Sequence, residues 1–168
     1  KLPRDRPLLI VDADEVILRF TDGFDRFLRL RGYYLDLTSY RLYGNVKSLT
    51  ALAQMASVVV LTNISEAQAP ARRRNLLSLG LDYPLVVNEG LKGPAVKNLA
   101  GHVCAACFFI DDVPQHLASA EEMAPEVVRI HLVGDTRLAA LLPLPFHAHY
   151  HTEDWEAAEI FIKARLGK

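Results

Sequence analysis

The sequence predicts a three-layer α/β fold, a parallel sheet with helices packed on both faces, and three observations carry that expectation. Short apolar runs rich in Val and Ile alternate with longer segments of helical spacing, the pattern of repeated strand–helix–strand units. The runs are almost continuously apolar rather than alternating, as strands buried on both faces must be. Gly and Pro punctuate the helical segments near their ends.

Taken in order, PLLIVDA (7–13) is the first strand, followed by a helix in DGFDRFLRLRGY (22–33) and an excursion, YYLDLTSYRLYGN (33–45). A helix in SLTALAQMA (48–56) leads into the strand SVVVLTN (57–63). In ISEAQAPARRRNLL, Ser65 with Gln68 fits a capping box, while Pro70 fits the first turn of a slightly later start; either places a helix N-terminus just after Thr62 and Asn63. That helix stops at Gly80. The strand YPLVVN (83–88) and the helix PAVKNLAG, stopped by Gly101, come next. CFFIDD (107–112) is a strand, PQHLASAEEMA (114–124) a helix and VVRIHLVG (127–134) a strand. TEDWEAAEIFIKARLG (152–167) reads as a last helix capped by Thr152, with acids in its first turn and bases near its end. No repeat, low-complexity tract or linker interrupts this order, so residues 1–168 form one domain with a short insertion at about 20–46.

Hydrophobic residues make up 51% of the chain, enough for a sizeable core. A net charge of −1 argues against a nucleic-acid polymer as partner. No apolar run reaches the roughly 18 residues a membrane span needs. The opening KLPRDRPLLI lacks the apolar centre of a secretory signal, which makes the cytoplasm the expected compartment. Cys104 and Cys107 have C-x-x-C spacing, but no second such pair exists to complete a zinc set, and buried thiols are expected. Oligomeric state is left open.

In parallel sheets ligands bind beyond the carboxyl ends of the strands. The residues at those ends are Asp12 and Asp14, Thr62 and Asn63, Asn88 and Glu89, and Asp111 and Asp112. Two carboxylate pairs on one edge repel each other, so either their pKa values rise or a cation joins them. Ligands that are all oxygen favour Mg²⁺, which also prefers a phosphate oxygen in its shell. A phosphorylated substrate follows. Thr62, Asn63 and the helix N-terminus beyond them would hold its anion. A lysine should neutralise phosphate; Lys92 precedes a helix start and faces the edge, whereas Lys97 lies inside the helix.

With DADEV at 12–16, VVVLTN ending in Thr62–Asn63, LKGPAV with Lys92, and FFIDDVPQHLASA with Asp111–Asp112, the chain resembles the haloacid dehalogenase-like (HAD) superfamily of phosphatases. The four motifs stand in the family's order and span nearly the whole chain. The resemblance implies a Rossmann-like sheet, Mg²⁺ as cofactor and the following roles. Asp12 would be the nucleophile that forms a phosphoaspartate. Asp14 would be the acid–base group, its carbonyl also joining the metal. Thr62 and the Asn63 amide would hold the phosphoryl group, and Lys92 would balance its charge. Asp111 and Asp112, with Asp12, would hold or orient Mg²⁺. An acid at position 14 favours phosphoryl transfer over dehalogenation.

One departure is Glu15, where many members have Gly; a solvated residue is expected there. Only residues 15–61, 47 in all, separate Asp14 from Thr62, too few for a full helical cap. The excursion with Tyr33, Tyr34, Tyr40 and Tyr43 would be a minimal lid, and it resembles the deoxyribonucleotidase-like branch. His147, His149 and His151 are expected as surface or packing residues rather than a metal cluster, Arg72–Arg73–Arg74 as a solvated helix face, and His116 as a helix-surface residue. The reading best supported is a phosphatase of a small phosphorylated metabolite, nucleotides included. Beside it stand a HAD-fold binding or regulatory protein with little activity, and a phosphatase of a macromolecule.

Overall fold

A computed structural model describes residues 2–19, 46–134, 139 and 146–167. The expected helix at 22–33, the tyrosine-bearing excursion and most of the insertion at 20–46 lie outside these residues.

Twelve segments form the described core. They are β1 (Leu8–Val11), α1 (Val46–Met55), β2 (Ser57–Asn63), a 3₁₀ turn (Glu66–Gln68), α2 (Ala69–Ser78), β3 (Leu85–Asn88), α3 (Gly93–Ala100), β4 (Cys107–Asp111), α4 (Pro114–Met123), β5 (Val128–Leu132), β6 (Tyr150–Thr152) and α5 (Trp155–Leu166). Ser65 and Pro70 both act as read, one after the other. Ser65 opens the 3₁₀ turn, its amide donating to Gln68 Oε1 at 3.0 Å, and Pro70 stands in the first turn of α2. The cap of α5 is a correction. Asp154 accepts from the Ala157 amide at 3.0 Å, while Thr152 ends β6 and takes the Asp154 amide on its hydroxyl.

The six strands form one parallel sheet in the order β3-β2-β1-β4-β5-β6. The chain winds outward from β1 through β2 to β3, then returns to the other side of β1 as β4. The switch therefore falls between β1 and β4, where a crevice opens at the carboxyl edge. Both faces of β1, β2 and β4 are covered, which accounts for their largely unbroken apolar sequence. Leu9, Val11, Val58, Val60, Phe108 and Ile110 pack under α1, α2 and α5. Leu8, Ile10, Val59, Leu61 and Phe109 face the other way, against α3 and α4. Each fully buried Leu, Ile, Val or Phe contributes about 1.5–3 kcal/mol, so this double core fixes register firmly. Among the described residues, no helix is long and apolar enough to cross a membrane. Cys107 is buried in β4, but Cys104 is exposed, contrary to expectation; both are free.

Gly93 sets how closely α3 approaches α4. A Cβ there would overlap the carbonyl and hydroxyl of Ser119, and the Gly93 amide donates to Ser119 Oγ at 3.2 Å. Gly93→Ala should therefore cost about 1–3 kcal/mol through overpacking, read as a lower urea midpoint with unchanged m-value.

Candidate active site

At the switch point, β1 delivers Asp12 and β4 delivers Asp111 side by side; the Asp12 amide continues the ladder by donating to Ile110 O at 2.9 Å. Lys92 reaches them from the start of α3. After β3 the chain reverses at Gly90, whose φ of +80° suits glycine, and Lys92 enters with only 1% exposure. Its ammonium lies 2.5 Å from Asp12 Oδ1 and 2.7 Å from Asp111 Oδ2. The Val113 amide donates to Asp111 Oδ1 at 2.9 Å. Lys97, by contrast, is exposed.

Asp14 follows on a tight turn. The Glu15 and Leu18 backbones pair, Glu15 donating to Leu18 O at 2.8 Å, and Leu18 returns to Ala13 O at 2.8 Å. Glu15 sits at φ +56°, the left-handed region that costs most residues but not Gly. This is the position where a Gly was to be expected from the resemblance. Glu15 is not solvated as expected; it is 6% exposed, because the turn carries Val16, Ile17 and Leu18 down into the core and draws it inward.

The Asp14 carboxylate is held by Arg72, whose Nη2 lies 2.7 Å from Oδ1 and 2.9 Å from Oδ2. Arg72 is fully buried, which overturns the solvated-face reading of the three arginines. It points inward on the stripe of α2 that also buries Asn75 and Leu76. The i, i+4 spacing to Leu76 was the available signal, hidden by two adjacent arginines that do face out.

Asp12, Asp111 and Asp112 each offer a carboxylate oxygen, all within 4.8 Å of one another, and no other such group exists among the described residues. Burial raises the pKa of Asp12, against the pull of Lys92. Burial likewise raises Asp111, again opposed by Lys92. Asp112 is pushed to about 9 by burial and by the charges of Asp12 and Asp111. Burial raises Asp14 too, with Arg72 opposing. For Lys92 burial works downward, but Asp12 and Asp111 outweigh it and the net shift is upward. Four carboxylates thus face Lys92 and Arg72, an imbalance a divalent cation would relieve. The donor set is all oxygen and fits Mg²⁺.

Thr62, next to last in β2, is fully buried, and its hydroxyl has no hydrogen-bond partner among the described residues. A buried hydroxyl left in that state is what a bound anion would satisfy. The Asn63 side chain is committed elsewhere: it donates to Gly90 O at 2.8 Å and accepts from Asn88 at 2.7 Å. This brace ties the ends of β2 and β3 to the turn that precedes Lys92. His116 is half-buried beside it, its Nε2 3.3 Å from Asn63 Nδ2, not a free helix-surface residue. Burial, with Lys92 nearby, lowers its pKa to about 4, so it is neutral near pH 7. Glu89 is exposed.

The three late histidines do not converge. His147 meets Glu121 at 2.7 Å, His149 accepts from the Arg129 amide, and His151 stacks on His131. His131 is a site-supporting residue the sequence reading missed. It is buried on β5, and its Nε2 holds the Asp112 carbonyl at 2.8 Å. An isolated histidine in an apolar strand gave only a weak signal.

No protein-family model matches the sequence, and no curated protein does. Solved structures do. The D,D-heptose 1.7-bisphosphate phosphatase from B. bronchiseptica, complexed with magnesium and phosphate, is 16% identical with TM-score 0.67, covering 95% of this chain and 99% of its own. A HAD-superfamily hydrolase from Ehrlichia chaffeensis is 13% identical with TM-score 0.61, over 100% of this chain and 99% of its own. A haloacid dehalogenase-like family hydrolase from Xanthomonas campestris is 12% identical with TM-score 0.63, over 98% and 99%. None of these likenesses singles out the deoxyribonucleotidase-like branch.

The raised pKa of Asp112 would make a proton compete with any metal bound there. Burial and the neighbouring charges push this carboxyl to about 9, so a metal that took it as ligand would displace a proton. Mg²⁺ affinity should therefore rise between pH 6 and pH 9, with proton release on binding, measurable by calorimetry in buffers of different ionisation enthalpy. On fold and topology together, the chain carries the haloacid dehalogenase-like fold.

Proposed function

We propose that the protein is a Mg²⁺-dependent phosphatase acting through a phosphoaspartate on Asp12, with a small phosphorylated metabolite, nucleotides included, as substrate. The observation that carries this reading is the pairing of Asp12 with Lys92 and Asp111 at the switch point, beside the unsatisfied hydroxyl of Thr62. The fold shared with a phosphatase that binds magnesium and phosphate supports it.

Asp12, Asp111 and Asp112 would hold the metal, which when bound supplies charge stabilisation on the transferring phosphoryl group. Lys92 opposes the burial that raises the Asp12 pKa, which favours the carboxylate a nucleophile requires, and stands ready to balance phosphate charge. Thr62 Oγ and the Asn63 backbone amide orient the phosphoryl oxygens. Asp14 gives a proton to the leaving oxygen and then takes one from the attacking water; its raised pKa suits both tasks. Splitting hydrolysis into two displacements leaves positioning as most of the work.

A panel of phosphomonoesters should show phosphate release that requires Mg²⁺ and stops in excess chelator. Asp12→Asn should lose at least about 10³-fold in kcat while remaining folded. Undiminished turnover in Asp12→Asn, or in chelator, would remove the nucleophile or the metal from the account.

A further inference from the structure

The pairing of Arg72 with Asp14 has no place in the steps above. Arg72 is fully buried on the inner stripe of α2, and one of its nitrogens spans both oxygens of Asp14 at 2.7 and 2.9 Å. The Asp14 side chain keeps 25% exposure, so it is clamped from the protein side while remaining open to the crevice. The other cation of the site, Lys92, is committed to Asp12 and Asp111.

Stability alone gives little reason for this arrangement. Replacing a buried ion pair by apolar groups is often neutral or favourable, and the stripe of α2 that carries Arg72 also buries Leu76. A carboxyl at the exit of a turn, by contrast, needs something to fix its rotation if it is to meet one particular oxygen. The turn at Glu15 fixes the Asp14 backbone but not its side chain.

We propose that Arg72 is the positioning residue for Asp14, holding its carboxyl where it meets the oxygen that leaves phosphorus. This rests on the phosphatase reading above. In the first step an Asp12 oxygen bonds to phosphorus, the phosphorus–oxygen ester bond breaks with its electron pair going to the leaving oxygen, and the Asp14 proton moves to that oxygen to give the alcohol. In the second, the Asp14 carboxylate takes a proton from water as the water oxygen attacks phosphorus, which frees phosphate and restores the Asp12 carboxylate. Arg72 touches neither substrate nor water; it sets the direction of both proton transfers.

The test is leaving-group dependence. p-Nitrophenolate departs with little proton assistance, whereas an alkoxide needs it. Arg72→Met should lose about 100-fold in kcat on the fastest alkyl phosphomonoester of the panel but under about 10-fold on p-nitrophenyl phosphate, within the range general acid catalysis supplies. KM should change little on either. Arg72→Lys should recover part of the alkyl rate, and if Arg72→Met does not fold, the lysine variant carries the same comparison. In an Asp14→Asn background, Arg72→Met should cost less than about twofold more, because the two act as one unit. Equal losses on both substrates, a loss in KM alone, or full additivity with Asp14→Asn would overturn the role of Arg72 while leaving the phosphatase reading intact. A wild-type protein that releases phosphate from no phosphomonoester would sink that reading and this role together.

Discussion

The buried ammonium of Lys92 between Asp12 and Asp111 is the interaction on which the rest depends. Burial raises the pKa of both carboxylates on these adjacent strands, and this ammonium is the charge that opposes the rise. Much of the local architecture serves to deliver that one group. Gly90 turns the chain after β3, the Asn63–Asn88 brace fixes that turn, and Gly93 lets α3 start tightly against α4. Burial of a lysine is costly, and two carboxylates at hydrogen-bond distance offset that cost. The same geometry sets the pull of Lys92 against the burial that raises the Asp12 pKa.

A second cation divides the labour among the acids. Arg72 reaches Asp14 from α2, Lys92 reaches Asp12 and Asp111 from α3, and Asp112 is left with its carbonyl fixed by His131. Chemically alike carboxyl groups thereby acquire different environments. Two share the Lys92 ammonium, one is clamped at the edge by Arg72, and one has its pKa pushed to about 9 by burial and its acidic neighbours. Separating pKa values by environment is how a site assigns distinct acid and base tasks to like groups.

The sheet and the four strand-end motifs were legible in the sequence for one reason: strands covered on both faces must be continuously apolar, so their ends are marked wherever polarity begins. Asp12, Thr62 and Asp111 stand at those marks, and Lys92 stands at the helix start that follows the third strand. Features set by side-chain direction were not legible. Arg72 lies among three consecutive arginines, and only the helical phase against Leu76 separates the buried one from its neighbours. Glu15 breaks a glycine expectation, yet the left-handed turn forms around it because Val16, Ile17 and Leu18 are drawn into the core. Thr152 and Asp154 are both good caps by type; β6 extends through Thr152 and leaves Asp154 the first residue free to cap α5.

The central claim is that Asp12, held by Lys92, attacks phosphorus and carries the phosphoryl group between two displacements. Acid-quenching the protein during turnover, then mapping it by mass spectrometry, reads that intermediate directly. The account predicts one phosphoryl group on the peptide bearing Asp12, dependent on Mg²⁺ and absent in Asp12→Asn. Phosphate release with no phosphorylated peptide at any quench time, even in an Asp14→Asn variant expected to slow the second displacement, would contradict it.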